Sequence, residues 1–120
     1  GKALTKRGHV VGSLTYLAPE RLRGEPADPR SDLYAIGVIL FELCAGKPPF
    51  TGEDDFDIIS AHLGDSPPDL AEVAPTPPPP AVVMLIERAL AKDPADRFAD
   101  AAAMAVAIAN AARGLPPPPG

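Results

Sequence analysis

A single cysteine, Cys44, and two histidines, His9 and His62, are the only soft metal ligands in this 120-residue chain, and tryptophan is absent. One cysteine excludes an internal disulfide, and three such residues are too few for a closed zinc site. Long apolar runs are missing as well: Ala35 to Phe41 ends at Glu42 and Ala101 to Ala109 at Asn110, both far short of the roughly 20 residues a membrane helix needs. Nor does a basic start run into an apolar stretch, since Lys2, Lys6 and Arg7 lead into the mixed segment Gly8 to Thr15. No secretory signal is therefore expected, no membrane contact from this segment, and a reducing cytoplasm is the expected compartment. A broad basic face is the last absence. Residues 1–30 carry six basic and three acidic groups, residues 31–75 one and nine, and the rest four of each. An acidic middle behind a short basic leader argues against a nucleic-acid partner, because neutralising phosphates takes a broad basic surface.

What is present is enough for one modest domain with a core: 46% of residues are hydrophobic and 22% charged. The 17 prolines look like disorder until their places are seen, for ten lie beyond Leu70, nine of them at Pro75, Pro77 to Pro80 and Pro116 to Pro119. The composition is that of a folded body with two stiff polyproline tracts.

Residues 1–17 mix Gly, Thr, Lys and β-branched residues without a usable period and read as an exposed loop. A short helical turn is expected from Ala18, with Pro19 at its first position and Gly24 ending it, followed by a loop through Pro26 and Pro29. Ser31 is the expected N-cap of the next helix, Asp32 suits its positive end, and Leu33 to Ala45 is apolar nearly all round until Gly46 and Pro48 stop it. A helix of that kind should be buried on every side, with Ile36, Val38, Ile39, Leu40, Phe41 and Leu43 all in contact with other helices. Glu53, Asp54 and Asp55 then open a one-sided surface helix carrying Phe56, Ile58, Ile59 and Leu63, closed by Gly64. Residues 65–80 hold seven prolines and no periodicity, an irregular crossing or linker. Val82, Leu85, Ile86, Ala89 and Leu90 recur at helical spacing up to Lys92, and Asp100 caps an Ala-rich helix over 101–113 that Gly114 closes. No strand is expected.

Four stretches stand in order along the chain: Gly12-Ser13-Leu14-Thr15-Tyr16-Leu17-Ala18-Pro19-Glu20, Ser31-Asp32-Leu33-Tyr34-Ala35-Ile36-Gly37, Gly46-Lys47-Pro48-Pro49-Phe50, and Lys92-Asp93-Pro94-Ala95-Asp96-Arg97-Phe98. Together they resemble the C-terminal half of the catalytic domain of bacterial eukaryotic-type (Hanks-type) Ser/Thr protein kinases, from the activation segment to the last helix. The resemblance implies an all-α fragment, the helical large lobe of a parent domain that is α+β. Residues 1–114 would be the kinase part and 115–120 a Pro-rich linker.

The resemblance also implies roles. Glu20 and Arg97 match a buried ion pair that ties the activation segment to the base of the lobe. Asp32 matches an aspartate that accepts backbone N–H bonds from the catalytic loop, a task suited to a carboxylate at a helix start. Ser13 and Tyr16 match the substrate-binding loop, in a pattern that favours Ser or Thr hydroxyls as acceptors. Thr5 stands where activation-loop phosphorylation commonly falls, among Lys2, Lys6 and Arg7; the competing reading is a solvated loop threonine. Tyr34 and Ala35 depart mildly from the family's usual Trp and Ser. The phosphate loop, the strand lysine and its glutamate, the catalytic His-Arg-Asp loop and the metal-binding Asp-Phe-Gly would all precede residue 1. Catalytic and metal-binding residues are accordingly expected to be none in this chain. ATP and Mg²⁺ would serve the full-length parent, which would act on proteins bearing Ser or Thr. The segment by itself should be inactive, and upstream lobe residues are its expected partners. Loss of the nucleotide cleft would leave Leu33, Tyr34 and Ile36 partly exposed. The alternative is a non-catalytic kinase remnant serving as an interaction module.

Among the remaining residues, Cys44 is expected to be a buried, inert thiol and His9 and His62 surface residues. The acidic helix start at Glu53 to Asp57 resembles the family's docking helix, beside the plainer reading of a solvated first turn favoured by the helix dipole.

Overall fold

The computed structural model describes residues 14–114; Thr5 and Ser13, the leading loop and the Pro-rich tail fall outside them. A 3-10 turn over Leu14–Tyr16 leads into α1 (Pro19–Leu22), α2 (Pro29–Ala45), α3 (Asp55–Gly64), α4 (Leu70–Val73), α5 (Pro80–Ala89), a second 3-10 turn (Pro94–Asp96) and α6 (Ala101–Ala112). No strand occurs among the described residues, so the all-α expectation holds.

Two residue types write the helix starts. Pro19, Pro29, Pro80 and Pro94 each stand at the first position of a helical segment, where a missing N–H costs nothing and the fixed φ already suits the helix. Aspartate supplies the caps. Asp28, Asp54, Asp69, Asp93 and Asp100 accept from the backbone N–H groups of Arg30, Asp57, Ala71, Ala95 and Ala103 at 2.7–3.0 Å, each worth about 1 kcal/mol. Two of these caps, Asp54 and Asp69, come from the acidic middle of the chain.

Asp28, rather than Ser31, caps α2, which begins at Pro29 within the expected loop. Ser31 is instead buried and turned toward Glu20. The 65–80 crossing likewise contains the one-turn helix α4, capped by Asp69, which buries Leu70. Gly46 ends α2 in the left-handed conformation at φ 86°, its N–H bonded to the Glu42 carbonyl at 2.8 Å; that backbone geometry favours glycine.

Helix α2 is the hub, touching α4, α5, α6 and the first 3-10 turn. At Gly37 it approaches α5 so closely that an added Cβ would lie 2.8 Å from the Cβ of Ala89. Leu33, Tyr34, Val38 and Phe41 are buried there with Leu85, Ile86, Leu90, Phe98 and Met104. Burying a side chain such as Phe41 contributes roughly 1.5–3 kcal/mol.

Burial of α2 is nevertheless one-faced. Ile36, Ile39 and Leu43 are exposed, the last by 76%, because no described element lies over that stripe. Leu33 and Tyr34, by contrast, are buried, since Tyr34 packs between Arg97 and His62. Cys44 is only half-buried. It lines an apolar groove of about 330 Å³ with Leu40, Leu43, Val82, Ile86 and Ile108.

Candidate functional site

Helix α1 is a single turn, and its Glu20 points inward. Arg97 follows the second 3-10 turn, whose Asp93 cap and Pro94 start aim it back under α1. Their side chains meet in two parallel bonds, Nη1 to Oε2 at 2.7 Å and Nη2 to Oε1 at 2.8 Å. The remaining guanidinium donors reach backbone carbonyls: Nε that of Ala91 at 2.8 Å, Nη1 that of Arg30 at 3.0 Å and Nη2 that of Lys92 at 3.2 Å. All five N–H groups of the fork therefore have an acceptor.

Ser31 completes the carboxylate's shell, its Oγ donating to Oε2 at 2.7 Å. Burial alone would push the Glu20 carboxyl up, but the bonds from Arg97 and Ser31 outweigh it and hold the group at about 2. Arg97 also lies over the Tyr34 ring at 4.9 Å. The pair is as buried as the sequence implied, and bidentate.

A second polar cluster adjoins the first. His62, on α3, is fully buried rather than on the surface. Its Nδ1 is 2.7 Å from the Tyr34 hydroxyl and its Nε2 is 3.1 Å from the Thr15 carbonyl. A carbonyl only accepts, so Nε2 carries the proton; in the neutral ring Nδ1 then accepts from Tyr34. Burial, with the nearby Lys92 charge, pulls the imidazole down to about 4, which keeps it neutral near pH 7. Burial also pushes the Tyr34 phenol well up.

Lys92 closes this cluster. Its Nζ donates to the Ala61 carbonyl at 3.2 Å and sits 4.0 Å above the Phe50 ring. Burial lowers it to about 8, with Arg97 acting in the same direction and Asp65 against it.

Tyr16, in the loop expected to face substrate, donates its hydroxyl to Oε1 of Glu42 at 2.8 Å. That carboxylate raises the phenol's pKa. Asp32 is exposed on the first turn of α2, and its carboxylate has no partner among the described residues. Of the residues singled out in the sequence, the structure therefore brings Glu20 and Arg97 together, ties Tyr16 to α2 and leaves Asp32 facing outward. Ser31, Glu42, His62 and Lys92 were not singled out as members of this network. A signal for His62 existed: Ile58, Ala61 and His62 stand at i, i+3 and i+4, one helical face. Phe56, which had been placed on the buried face, is 73% exposed.

An all-helical body whose first and last thirds are clamped by a buried carboxylate–guanidinium pair fits the helical part of a protein kinase. The family model for the protein kinase domain matches residues 2–108, and the chain belongs to that family. It is 41% identical over 114 residues to a probable serine/threonine-protein kinase PknB of Corynebacterium glutamicum, covering 92% of this chain and 18% of that protein. Against serine/threonine-protein kinase pkn3 of Myxococcus xanthus it is 45% identical over 104 residues, 86% of this chain and 19% of the relative. Serine/threonine-protein kinase PknD of Mycobacterium tuberculosis is 38% identical over 108 residues, 90% of this chain and 16% of the relative. The chain thus spans less than a fifth of the length of these curated relatives.

Among the described residues no helix is long and apolar enough to cross a membrane. They gather no three His, Cys, Asp or Glu side chains suited to hold a metal ion. The Mg²⁺ that the family resemblance implies is therefore not fitted by the described donor set.

Proposed function

We propose that this chain is the substrate-facing and scaffolding segment of a longer Ser/Thr protein kinase, one that transfers the ATP γ-phosphoryl group to protein Ser or Thr. The observation that carries the reading is the Glu20–Arg97–Ser31 cluster within a family-matched chain. It joins the segment ending in Ala-Pro-Glu to the base of the helical body, so the loop just ahead, 14–17, is held against a rigid frame. In this reading residues 1–114 are kinase domain and 115–120 a linker. Tyr16 and, outside the described residues, Ser13 belong to the substrate-binding loop, and Asp32 presents its carboxylate to backbone donors of an upstream loop. Its exposed position supports that role, as does the uncovered Ile36, Ile39 and Leu43 stripe, which an upstream element would bury.

Nucleotide binding and metal-assisted transfer belong to upstream residues, and the protein acts in the cytoplasm. What the present residues contribute is position: phosphoryl transfer depends on holding the acceptor hydroxyl in line, and a loop anchored at Glu20 and through Tyr16 serves that. The test is incorporation of labelled phosphate from ATP and Mg²⁺ into a Ser/Thr peptide by the full-length protein. Incorporation that Tyr16→Ala weakens through a higher peptide KM is expected. No incorporation above a no-protein control would favour a non-catalytic interaction module instead.

A further inference from the structure

We propose that His62 is a positioning residue for peptide binding: by holding the Thr15 carbonyl it sets the plane of the Thr15–Tyr16 peptide and so the aim of the substrate loop. The inference rests on the kinase reading above and deepens it.

Each link is geometric. The loop 14–16 is a single 3-10 turn, too short to define its own orientation. Two side chains from different helices define it. Glu42 of α2 accepts from the Tyr16 hydroxyl at 2.8 Å, and His62 of α3 donates Nε2–H to the Thr15 carbonyl at 3.1 Å. The carbonyl of Thr15 and the N–H of Tyr16 share one rigid peptide unit. Fixing that carbonyl therefore fixes the direction in which Tyr16 leaves the backbone, while Glu42 fixes where its ring ends.

The imidazole is itself held at its other nitrogen. Tyr34 donates to Nδ1 at 2.7 Å and lies beneath the Arg97 guanidinium. Phe50 packs against the ring at 5.0 Å between centroids. The tautomer, the ring plane and the donor to Thr15 are thus set by the same frame that holds the Glu20–Arg97 pair. A residue serving only as core filling would need neither nitrogen. Here both are used, and one is spent on the loop.

Asparagine and glutamine separate the two nitrogens. His62→Gln extends an amide N–H to the place of Nε2, whereas His62→Asn offers only an acceptor near Nδ1. In the full-length protein, His62→Asn should raise peptide KM about tenfold, the worth of roughly one net hydrogen bond. Its KM for ATP should stay unchanged and kcat should remain within about threefold. His62→Gln should restore peptide KM to within about threefold of wild type. Should the asparagine variant fail to fold, Tyr34→Phe replaces it: loss of the hydroxyl frees the ring, and peptide KM should rise about threefold.

Equal peptide KM values for the Asn and Gln variants would overturn the inference while leaving the kinase reading intact. So would a change in kcat and ATP KM together, the mark of a structural defect, or an unchanged peptide KM in Tyr34→Phe. Wild type that transfers no phosphate would overturn both.

Discussion

Replacing Arg97 by lysine keeps the positive charge and removes the fork, and the structure makes that exchange a severe one. The guanidinium serves five acceptors: two oxygens of Glu20 and the carbonyls of Ala91, Arg30 and Lys92. A lysine ammonium has three donors on a single nitrogen. At least two buried acceptors lose their partners, at about 1–3 kcal/mol each, so Arg97→Lys should cost about 2–6 kcal/mol. Arg97→Ala leaves the Glu20 carboxylate with only Ser31 as a side-chain partner and should cost a similar amount, about 3–5 kcal/mol. The double variant Glu20→Gln with Arg97→Met removes both charges yet still strands the three carbonyls, so it should not recover wild-type stability. Urea-unfolding midpoints of the full-length protein at pH 7, followed by circular dichroism, check all three. If Arg97→Lys costs less than about 1 kcal/mol, charge rather than fork geometry holds the site, and the reasoning fails.

Acid should act in two stages. His62 falls from 6.5 to about 4 on folding, so its contribution is complete above pH 6.5 and is lost as pH falls toward 4, where the unfolded chain binds the extra proton. That is about 3 kcal/mol by the usual conversion. Glu20, lowered from 4.5 to about 2, adds a further loss below pH 4.5. Melting temperatures across pH 3–8 should show both steps, and His62→Gln should remove the upper one. Gly37→Ala should destabilise by about 1–2 kcal/mol despite alanine's better helix propensity, because the added Cβ meets Ala89 at 2.8 Å; a raised urea midpoint would contradict the close α2–α5 approach. Thr5 should carry phosphate after incubation of the full-length protein with ATP and Mg²⁺. Phosphopeptide mapping that finds only other hydroxyls, with Thr5→Ala fully active, would refute it.

The long-range architecture was legible because it is carried by residue types with few substitutes. A carboxylate and a guanidinium in matching motifs announced the Glu20–Arg97 pair, and the stops at Gly24, Gly46 and Gly114 fell where expected. What misled was reading residues by their class. Pro29 looks like a breaker but opens α2 behind Asp28, since proline forbids only a helix interior. Ile36, Ile39 and Leu43 look like core, yet an apolar side chain is buried only where some element covers it. His62 looks like surface because histidine is polar; burial became tolerable only because both nitrogens found partners 28 and 47 residues away. Such partners have no local signature.

The clamp at the heart of the fold also dictates an order of assembly. Glu20 and Arg97 are separated by 77 positions, so a chain emerging from the ribosome carries an unmatched glutamate until those further residues have been made. Closing that span at the outset would cost about 4 kcal/mol of chain entropy, comparable to what the pair returns. Assembly is cheaper if α2, α5 and α6 pack first, through contacts that shorten the loop. Docking of α1 and the loop before it should then be a late event in folding and an early one in unfolding. The loop proposed to face a substrate would be the first to let go.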